Sequence, residues 1–191
     1  MNLTRLADWI DKAIDFKPPK SLIDFCGNYY SPYYAFMWLA ATQLTNRYPR
    51  SIVVELGCET GRGLVALAME GAHVVGVDHT RTEGIDKVQA TYDNVVFLEQ
   101  DATPLPSWFN EHPERKIGLL HIDTEHSYEQ ARVEFETYSP LLTSPAVVIF
   151  DDLHAQEDAV LKYFMSLPYP KIQDDRLHPQ CGWGVLLYLG E

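Results

Sequence analysis

Acidic residues follow two of the apolar runs in this sequence and could together hold a metal ion. Asp123 comes directly after the run Ile117–Ile122, and Asp151 and Asp152 come directly after Ala146–Phe150. If these two runs form strands that lie beside the first strand of the same sheet, their ends converge. The three carboxylates then lie close together and repel one another unless protons or a cation neutralise them. Oxygen ligands of this kind suit Mg²⁺, Mn²⁺ or Ca²⁺ rather than zinc. The alternative is that Asp151 or Asp152 caps the helix that follows.

A glycine-rich turn predicts a site for a nucleotide-like cofactor. The apolar run Ile52–Leu56 leads into Gly57, Gly61 and Gly63, which is typical of a buried strand that turns tightly into a helix. Glycines allow the backbone to approach a ligand closely, and the start of the helix offers free N–H groups. Asp78 closes the next apolar run about 20 residues further on, where doubly wound folds bind ribose hydroxyls. A turn that serves only packing is the alternative.

A further acid, Asp101, is predicted to lie near the base of such a cofactor. It follows the apolar run Val95–Glu99, and ligands of an open parallel sheet bind beyond the carboxyl ends of the strands. Its carboxylate would accept a hydrogen bond from the adenine amino group. The alternative is that Asp101 caps a helix.

The elements that position these residues alternate between strands and helices. Such alternation predicts a doubly wound, Rossmann-like α/β fold with right-handed crossovers and a mainly parallel sheet. Strands are predicted at Ile52–Leu56, His73–Val77, Val95–Glu99, Ile117–Ile122, Ala146–Phe150, Lys171–Arg176 and Trp183–Tyr188. Helices are predicted at Leu3–Phe16, Tyr33–Asn46, Gly63–Glu70, Gly84–Thr91, Pro106–His112, Tyr128–Tyr138 and Gln156–Leu167. The last two strands form a C-terminal antiparallel pair, which completes a seven-stranded sheet.

Composition limits the class of protein and its partners. The 191 residues, 46% of them hydrophobic, suit one domain with a substantial core. A net charge of −12 argues against a nucleic-acid partner, because phosphate contacts need clustered Lys and Arg. The sequence shows neither the apolar length of a membrane span nor the apolar core of a signal peptide. Three widely spaced cysteines, Cys26, Cys58 and Cys181, argue against a disulfide framework and predict a cytoplasmic location.

The glycine turn resembles motif I of class I S-adenosylmethionine-dependent methyltransferases. The resemblance rests on the stretch Val53–Gly63 and on Glu55, the acid that precedes the first glycine of that motif. Glu59 stands where many members have a second glycine. The turn also fits one class of nicotinamide dehydrogenases, but those usually carry a catalytic Tyr-x-x-x-Lys, and none of the 11 tyrosines has a lysine four residues on. The terminal strand pair favours the methyltransferases.

Two later stretches, Leu120–Glu129 and Val147–Asp152, resemble a metal-dependent O-methyltransferase subgroup. Its relatives include macrocin-type sugar O-methyltransferases and cephalosporin-hydroxylase-like proteins, and the similarity extends from about residue 50 to 165. In such relatives the acids at the positions of Asp123, Asp151 and Asp152 bind a divalent cation, which we expect to be Mg²⁺.

The same resemblance implies the catalytic base. His126 corresponds to the proposed general base of these enzymes, and its ordinary pKa near 6.5 suits a proton acceptor at physiological pH. Other relatives place a carboxylate one residue earlier, which would make Glu125 the base. Thr124 departs from the Asp-Gly that is commoner after the first metal ligand.

These resemblances imply transfer of a methyl group from S-adenosylmethionine to a hydroxyl of a small molecule, with help from the cation. Residues 1–48 are expected to form a helical segment that covers the substrate pocket within the same domain, and residues 49–191 the cofactor-binding core. Contact with the cofactor is expected for Glu55, Gly57, Cys58, Gly61, Asp78, Asp101, Ala102 and Asp123.

Two other functions stay open at this point. One is a metal-independent methyltransferase that acts on N, O or C. The other is a non-catalytic module that binds a nucleoside cofactor, or nothing, and serves a protein partner. Relatives of this kind often assemble as homo-oligomers, although no segment of the sequence specifies an interface. The acceptor, the regiochemistry and the identity of the metal are also left open.

Overall fold

A single seven-stranded sheet organises the protein, whose computed structural model describes residues 1–190. The strand order is β3-β2-β1-β4-β5-β7-β6, and β7 runs antiparallel to both of its neighbours. The other pairings in the sheet are parallel. The strands are β1 Ile52–Leu56, β2 Val74–Asp78, β3 Val95–Glu99, β4 Ile117–Ile122, β5 Leu142–Asp151, β6 Lys171–Gln173 and β7 Trp183–Tyr188. The predicted doubly wound fold with its C-terminal antiparallel strand is confirmed.

Eight α-helices flank this sheet in the described residues. They are α1 Leu3–Asp15, α2 Lys20–Cys26, α3 Pro32–Arg47, α4 Arg62–Ala68, α5 Glu83–Thr91, α6 Ser107–Glu111, α7 Tyr128–Tyr138 and α8 Ala155–Ser166. Helix α2 is not predicted from the sequence, because seven residues between Pro19 and Gly27 are too few to show a helical period. Within residues 1–190, no helix combines the length and apolar character that crossing a membrane requires.

The two faces of the sheet carry separate apolar layers. Helices α1 to α5 pack on one face together with Val53 and Leu119, and helices α6 to α8 pack on the other with Ile52 and Val54. This division follows from the alternation of side chains along a strand. Glu55 therefore shares the face of Val53, beneath the N-terminal helices.

The order of the strands reverses between β1 and β4, which places the carboxyl ends of β1, β4 and β5 side by side. Leu56 pairs with Ile122, and Ile122 pairs with Phe150. The residues that follow these pairs are Gly57, Asp123 and Asp151. Open α/β sheets bind ligands in the crevice at such a reversal. The ends of β1, β4 and β5 are therefore neighbours, as the predicted metal site requires.

Candidate active site

A large open cavity of about 1460 Å³ lies at this edge of the sheet. Its walls come from the segment before α3, from the loops that follow β1 to β5, and from the loop between β6 and β7. The predicted site residues that line the cavity are Gly57, Asp78, Asp101, Ala102, Asp123, Glu125, His126, Asp151 and Asp152. Three other predicted cofactor contacts, Glu55, Cys58 and Gly61, are not among its lining residues.

The glycine turn brings β1 against the end of β4. Gly57 has φ +80°, and a Cβ at this position would lie 1.8 Å from the carbonyl oxygen of Asp123. Glu59 adopts φ +44°, a left-handed conformation that suits the glycine found there in many motif I sequences. The turn therefore keeps a glycine-like backbone although a glutamate occupies the position.

Asp78 fixes this turn from the neighbouring strand. Its Oδ2 accepts hydrogen bonds from the backbone N–H groups of Cys58 and Glu59, at 2.8 and 2.9 Å. Its Oδ1 accepts from the N–H of Thr80 at 2.9 Å. The carboxylate thus stabilises the loop that lines the cavity, and it still faces the cavity where a ribose is predicted.

Glu55, Cys58 and Gly61 are buried and do not line the cavity, and their contact with the cofactor stays a prediction. Glu55 is 2% exposed and presses against α4, where a Cβ on Gly63 would lie 1.7 Å from its Oε1. The Sγ of Cys58 is buried, and Gly61 packs against α5. Strand alternation decides the placement of Glu55, since it directs this side chain under the helix rather than beyond the strand end.

Asp101 and the acids after β5 do not cap helices. Helix α6 begins at Ser107 with Pro106 as its N-cap, and helix α8 has His154 as its N-cap. The capping alternative is therefore wrong for Asp101, Asp151 and Asp152. All three remain available to a ligand in the cavity.

Histidines and carboxylates alternate along one part of the cavity lining. His126 Nε2 lies 3.0 Å from Asp123 Oδ1, and His126 Nδ1 lies 3.3 Å from Asp152 Oδ2. His178 Nδ1 lies 3.5 Å from Asp152 Oδ1 and 3.0 Å from Asp151 Oδ1. We call these five side chains the acid–histidine cluster. Each histidine bridges two carboxylates, so an imidazolium can offset the repulsion that the sequence predicted for the three acids.

The pKa values of both histidines in the cluster respond to the acids around them. Burial alone would lower the pKa of His126, but its hydrogen bond to Asp123 and the charges of Asp123, Asp152 and Asp151 outweigh burial and raise it. Burial opposes the same rise at His178, where the hydrogen bond to Asp151 and the neighbouring carboxylates again raise the pKa. Both imidazoles of the cluster are therefore protonated more readily than an unperturbed histidine.

Two members of the cluster have left-handed backbones. His126 has φ +61° and Asp152 has φ +49°. Such conformations cost of order 1–3 kcal/mol each in residues with a side chain, and they concentrate at functional sites.

Two groups of three side chains in the described residues could hold a metal ion. One contains His121, Asp123 and Asp151, and the other contains Asp152, His178 and Cys181. The three acids predicted as one ligand set fall into two groups, and their joint binding of one ion stays a prediction. Asp151 lies between His121 and His178, whereas Asp152 lies between His126 and His178. Each group includes a nitrogen donor that the sequence argument had not assigned to the metal.

Side chains from distant segments complete the cavity. Tyr33 at the start of α3 is 7% exposed, and its ring centroid lies 5.0 Å from that of His178 and 4.1 Å from that of Tyr34. Burial raises the pKa of Tyr33, so its phenol stays protonated. Arg62 lies over the ring of Tyr29, with its guanidinium carbon 4.2 Å from the ring centroid. His178 enters the site because β6 and β7 form a hairpin.

Comparison with known proteins agrees with this architecture. A family model described as a methyltransferase domain matches residues 54–153, just over half of the chain. The chain belongs to this methyltransferase family. The matched segment runs from β1 to the residue after Asp152, so it includes the glycine turn and most of the acid–histidine cluster. No curated protein matches the sequence significantly.

Solved O-methyltransferases share the fold of this methyltransferase. TomG from Streptomyces achromogenes, solved in complex with SAM and involved in tomaymycin synthesis, has a TM-score of 0.70 at 16% identity, with 100% of each chain covered. CalS11, a TDP-rhamnose 3'-O-methyltransferase of calicheamicin biosynthesis, has a TM-score of 0.62 at 19% identity, with 97% of this chain and 94% of that chain covered. An O-methyltransferase from Bacillus cereus in complex with SAH has a TM-score of 0.59 at 13% identity, with 94% of this chain and 90% of that chain covered.

Proposed function

We propose that this methyltransferase transfers a methyl group from S-adenosylmethionine to a hydroxyl of a small molecule, with help from a divalent cation. The observation that carries this proposal is a single cavity that joins the glycine turn and Asp78 to the acid–histidine cluster. Structural neighbours that were solved with SAM or SAH support the cofactor, and a neighbour that methylates a sugar hydroxyl supports the acceptor class.

The cofactor half of the cavity would lie over the ends of β1 to β3. Here the backbone at Gly57 would approach the methionine part, Asp78 would bind the ribose hydroxyls, and Asp101 would accept from the adenine amino group. Ala102 lies beside Asp101 and is 8% exposed, so it offers the adenine an apolar contact. The donor methyl group would then point toward Asp123 and the cluster.

The acceptor half would lie between the cluster and the aromatic segment before and within α3. The acceptor oxygen attacks the methyl carbon in line, the carbon–sulfur bond breaks, and its electron pair stays on sulfur to give the thioether S-adenosylhomocysteine. His126 would take the hydroxyl proton, since its ring lies between Asp123 and Asp152 and faces the cavity. Glu125 is exposed at the rim, so we assign the base to His126.

The residues present fit a divalent cation. The carboxylates of Asp123 and Asp151 face a buried imidazole, and Asp152 lies one residue further on. When bound, such a cation would lower the pKa of the acceptor hydroxyl and help neutralise the acids. The same charge would lower the proton affinity of His126, which leaves this ring free to act as a base.

Methyl transfer from labelled S-adenosylmethionine to a panel of sugar diols and catechols, with Mg²⁺ or EDTA, tests the proposal. A matched pair of variants is available, because His154 also lies between two carboxylates, Asp158 and Asp175, but outside the cavity. We expect His126→Ala to abolish most turnover and His154→Ala to retain it. Turnover that survives EDTA would favour a metal-independent methyltransferase. Cofactor binding without turnover on any acceptor would favour the non-catalytic module.

A further inference from the structure

A buried imidazole beneath the cluster has one ring nitrogen without a hydrogen-bond partner. His121 is fully buried in the centre of the sheet, and its Nε2 makes no hydrogen bond within the described residues. A buried polar atom left in this state costs about 1–3 kcal/mol. The Nε2 points toward Asp151, whose Oδ2 lies 4.0 Å away. The geometry therefore calls for a group between the two side chains.

The other nitrogen of this ring is held by a carboxylate. His121 Nδ1 lies 3.0 Å from Oε1 of Glu55, which is itself 2% exposed. Histidines that bind metals almost always donate the second ring N–H to a carboxylate, a carbonyl or water, which fixes the tautomer and makes the free nitrogen a stronger ligand. Glu55 provides the acceptor for such a bond, and a neutral ring that donates from Nδ1 to Glu55 presents a lone pair on Nε2.

Two carboxylates stand at distances that a metal ion can bridge. Ligand atoms of His121, Asp123 and Asp151 all lie within 4.8 Å of one another. Metal–nitrogen and metal–oxygen bonds in such sites are about 2.0–2.2 Å long. A single ion can therefore reach the Nε2 and one oxygen of each acid with small side-chain movements. The set combines one imidazole with two carboxylates, whereas Mg²⁺ prefers oxygen ligands alone.

We propose that His121 Nε2 is a direct ligand of the divalent cation, oriented by Glu55, and that the site favours a first-row transition metal such as Mn²⁺, Fe²⁺ or Co²⁺ over Mg²⁺. This inference rests on the proposed function for the presence of a cation at the cluster. It gives Glu55 a role that its burial allows, namely positioning a metal ligand rather than contacting the cofactor. It also accounts for a histidine at a strand position that otherwise suits an apolar residue.

Pulsed electron paramagnetic resonance of the Mn²⁺-loaded protein tests the proposal. Nuclear modulation from ¹⁴N is expected in the wild type and should convert to the ¹⁵N pattern when the histidines are labelled with ¹⁵N. Because His121 is buried and its removal endangers folding, the decisive sample is the double variant His126→Asn/His178→Asn. This variant removes the other two imidazoles of the cluster, and the ¹⁵N pattern from labelled histidine should persist in it.

Affinity measurements provide a second readout. We expect Mn²⁺ to bind at least about tenfold more tightly than Mg²⁺, because imidazole suits transition-metal ions whereas Mg²⁺ prefers oxygen ligands. Glu55→Gln should weaken Mn²⁺ binding by about 10- to 100-fold, as loss of a carboxylate behind a metal-bound histidine does elsewhere. Equal affinity for Mg²⁺ and Mn²⁺ would contradict the assigned ligand.

The outcomes separate this inference from the proposed function. Bound Mn²⁺ without nitrogen modulation, or modulation that disappears in the double variant, would overturn the role of His121 and leave the methyltransferase proposal intact. Absence of any Mn²⁺ binding, with S-adenosylhomocysteine still bound, would overturn both the inference and the metal part of the proposal. Nitrogen modulation in a protein that does not bind S-adenosylhomocysteine would support His121 as a metal ligand and refute S-adenosylmethionine as the cofactor.

Discussion

Replacing Gly57 by alanine should disrupt the site much more than the same replacement at Gly71. Both glycines have nearly the same backbone, with φ +80° and +78°. The conformational cost of an alanine in the left-handed region is about 1–2 kcal/mol at either position. A Cβ on Gly71 meets no atom within 4 Å, so the conformational cost should account for the whole change in the free energy of unfolding there. Gly71→Ala is therefore the matched control.

At Gly57 the added Cβ also collides with the backbone of β4. Its distance to the carbonyl oxygen of Asp123 must open from 1.8 Å to at least 3.0 Å, the closest approach that real Cβ atoms make. Overpacking of this kind costs about 1–3 kcal/mol in addition to the conformational cost. We expect Gly57→Ala to lower the free energy of unfolding by about 2–5 kcal/mol in total.

The displacement at Gly57 should also weaken cofactor binding. A misplacement of about 1 Å can cost about 100-fold in catalytic rate, about 2.7 kcal/mol, and we expect a loss of the same order in cofactor affinity. Urea denaturation measures the stability of both variants, and calorimetric titration with S-adenosylhomocysteine measures their affinity. The reasoning would be refuted if folded Gly57→Ala bound S-adenosylhomocysteine as tightly as the wild type. It would fail equally if Gly71→Ala lost as much affinity as Gly57→Ala.

Three further predictions concern the cluster, an exposed histidine and a helix cap. Asp152→Asn should lower turnover by about 100-fold or more, since it removes one partner of His126, while S-adenosylhomocysteine affinity stays within about threefold; unchanged turnover in steady-state assays would refute its role. Hydrogen bonds to Asp158 and Asp175 raise the pKa of His154, so its contribution to stability is present below about pH 6.5 and is lost as the pH rises through the folded-state pKa. His154→Ala should therefore destabilise more at about pH 6 than at about pH 9 in urea denaturation, and the opposite order would refute this assignment. Thr82→Ala should cost about 1 kcal/mol in the same assay, because the Thr82 hydroxyl accepts from the N–H of Ile85 at the start of α5; a loss near zero would show that this cap is not formed.

Local sequence patterns predict those helices and strands whose first and last residues are marked by the sequence itself. Helix α7 and strand β7 have the bounds expected from the sequence, Tyr128–Tyr138 and Trp183–Tyr188. The hydroxyl of Ser127 caps the helix by accepting from the N–H of Gln130, and Pro140 follows its end. Strand β6 stops earlier than expected, at Gln173, because Asp174 accepts from the N–H of Arg176 and turns the chain.

The residues of the candidate site that follow strand ends could be predicted from the sequence. The contacts that depend on the direction of a side chain could not. Asp123 and Asp151 follow paired strands, so topology alone brings them together. The alternation of histidines with acids could not be anticipated, since His178 arrives from a hairpin more than 50 residues away in sequence from Asp123. The buried pair of Glu55 and His121 requires the register of β1 against β4, which no local pattern encodes.

Calorimetric titration of the wild-type protein with S-adenosylhomocysteine and with NAD⁺, each in Mn²⁺, in Mg²⁺ and in EDTA, tests the central claim most directly. Both ligands contain adenosine, so the comparison separates the methyltransferase from a dehydrogenase on the same kind of fold. The account predicts micromolar binding of S-adenosylhomocysteine and no heat from NAD⁺. Binding of NAD⁺ instead of S-adenosylhomocysteine, or no heat of binding from either ligand in all three buffers, would contradict the account.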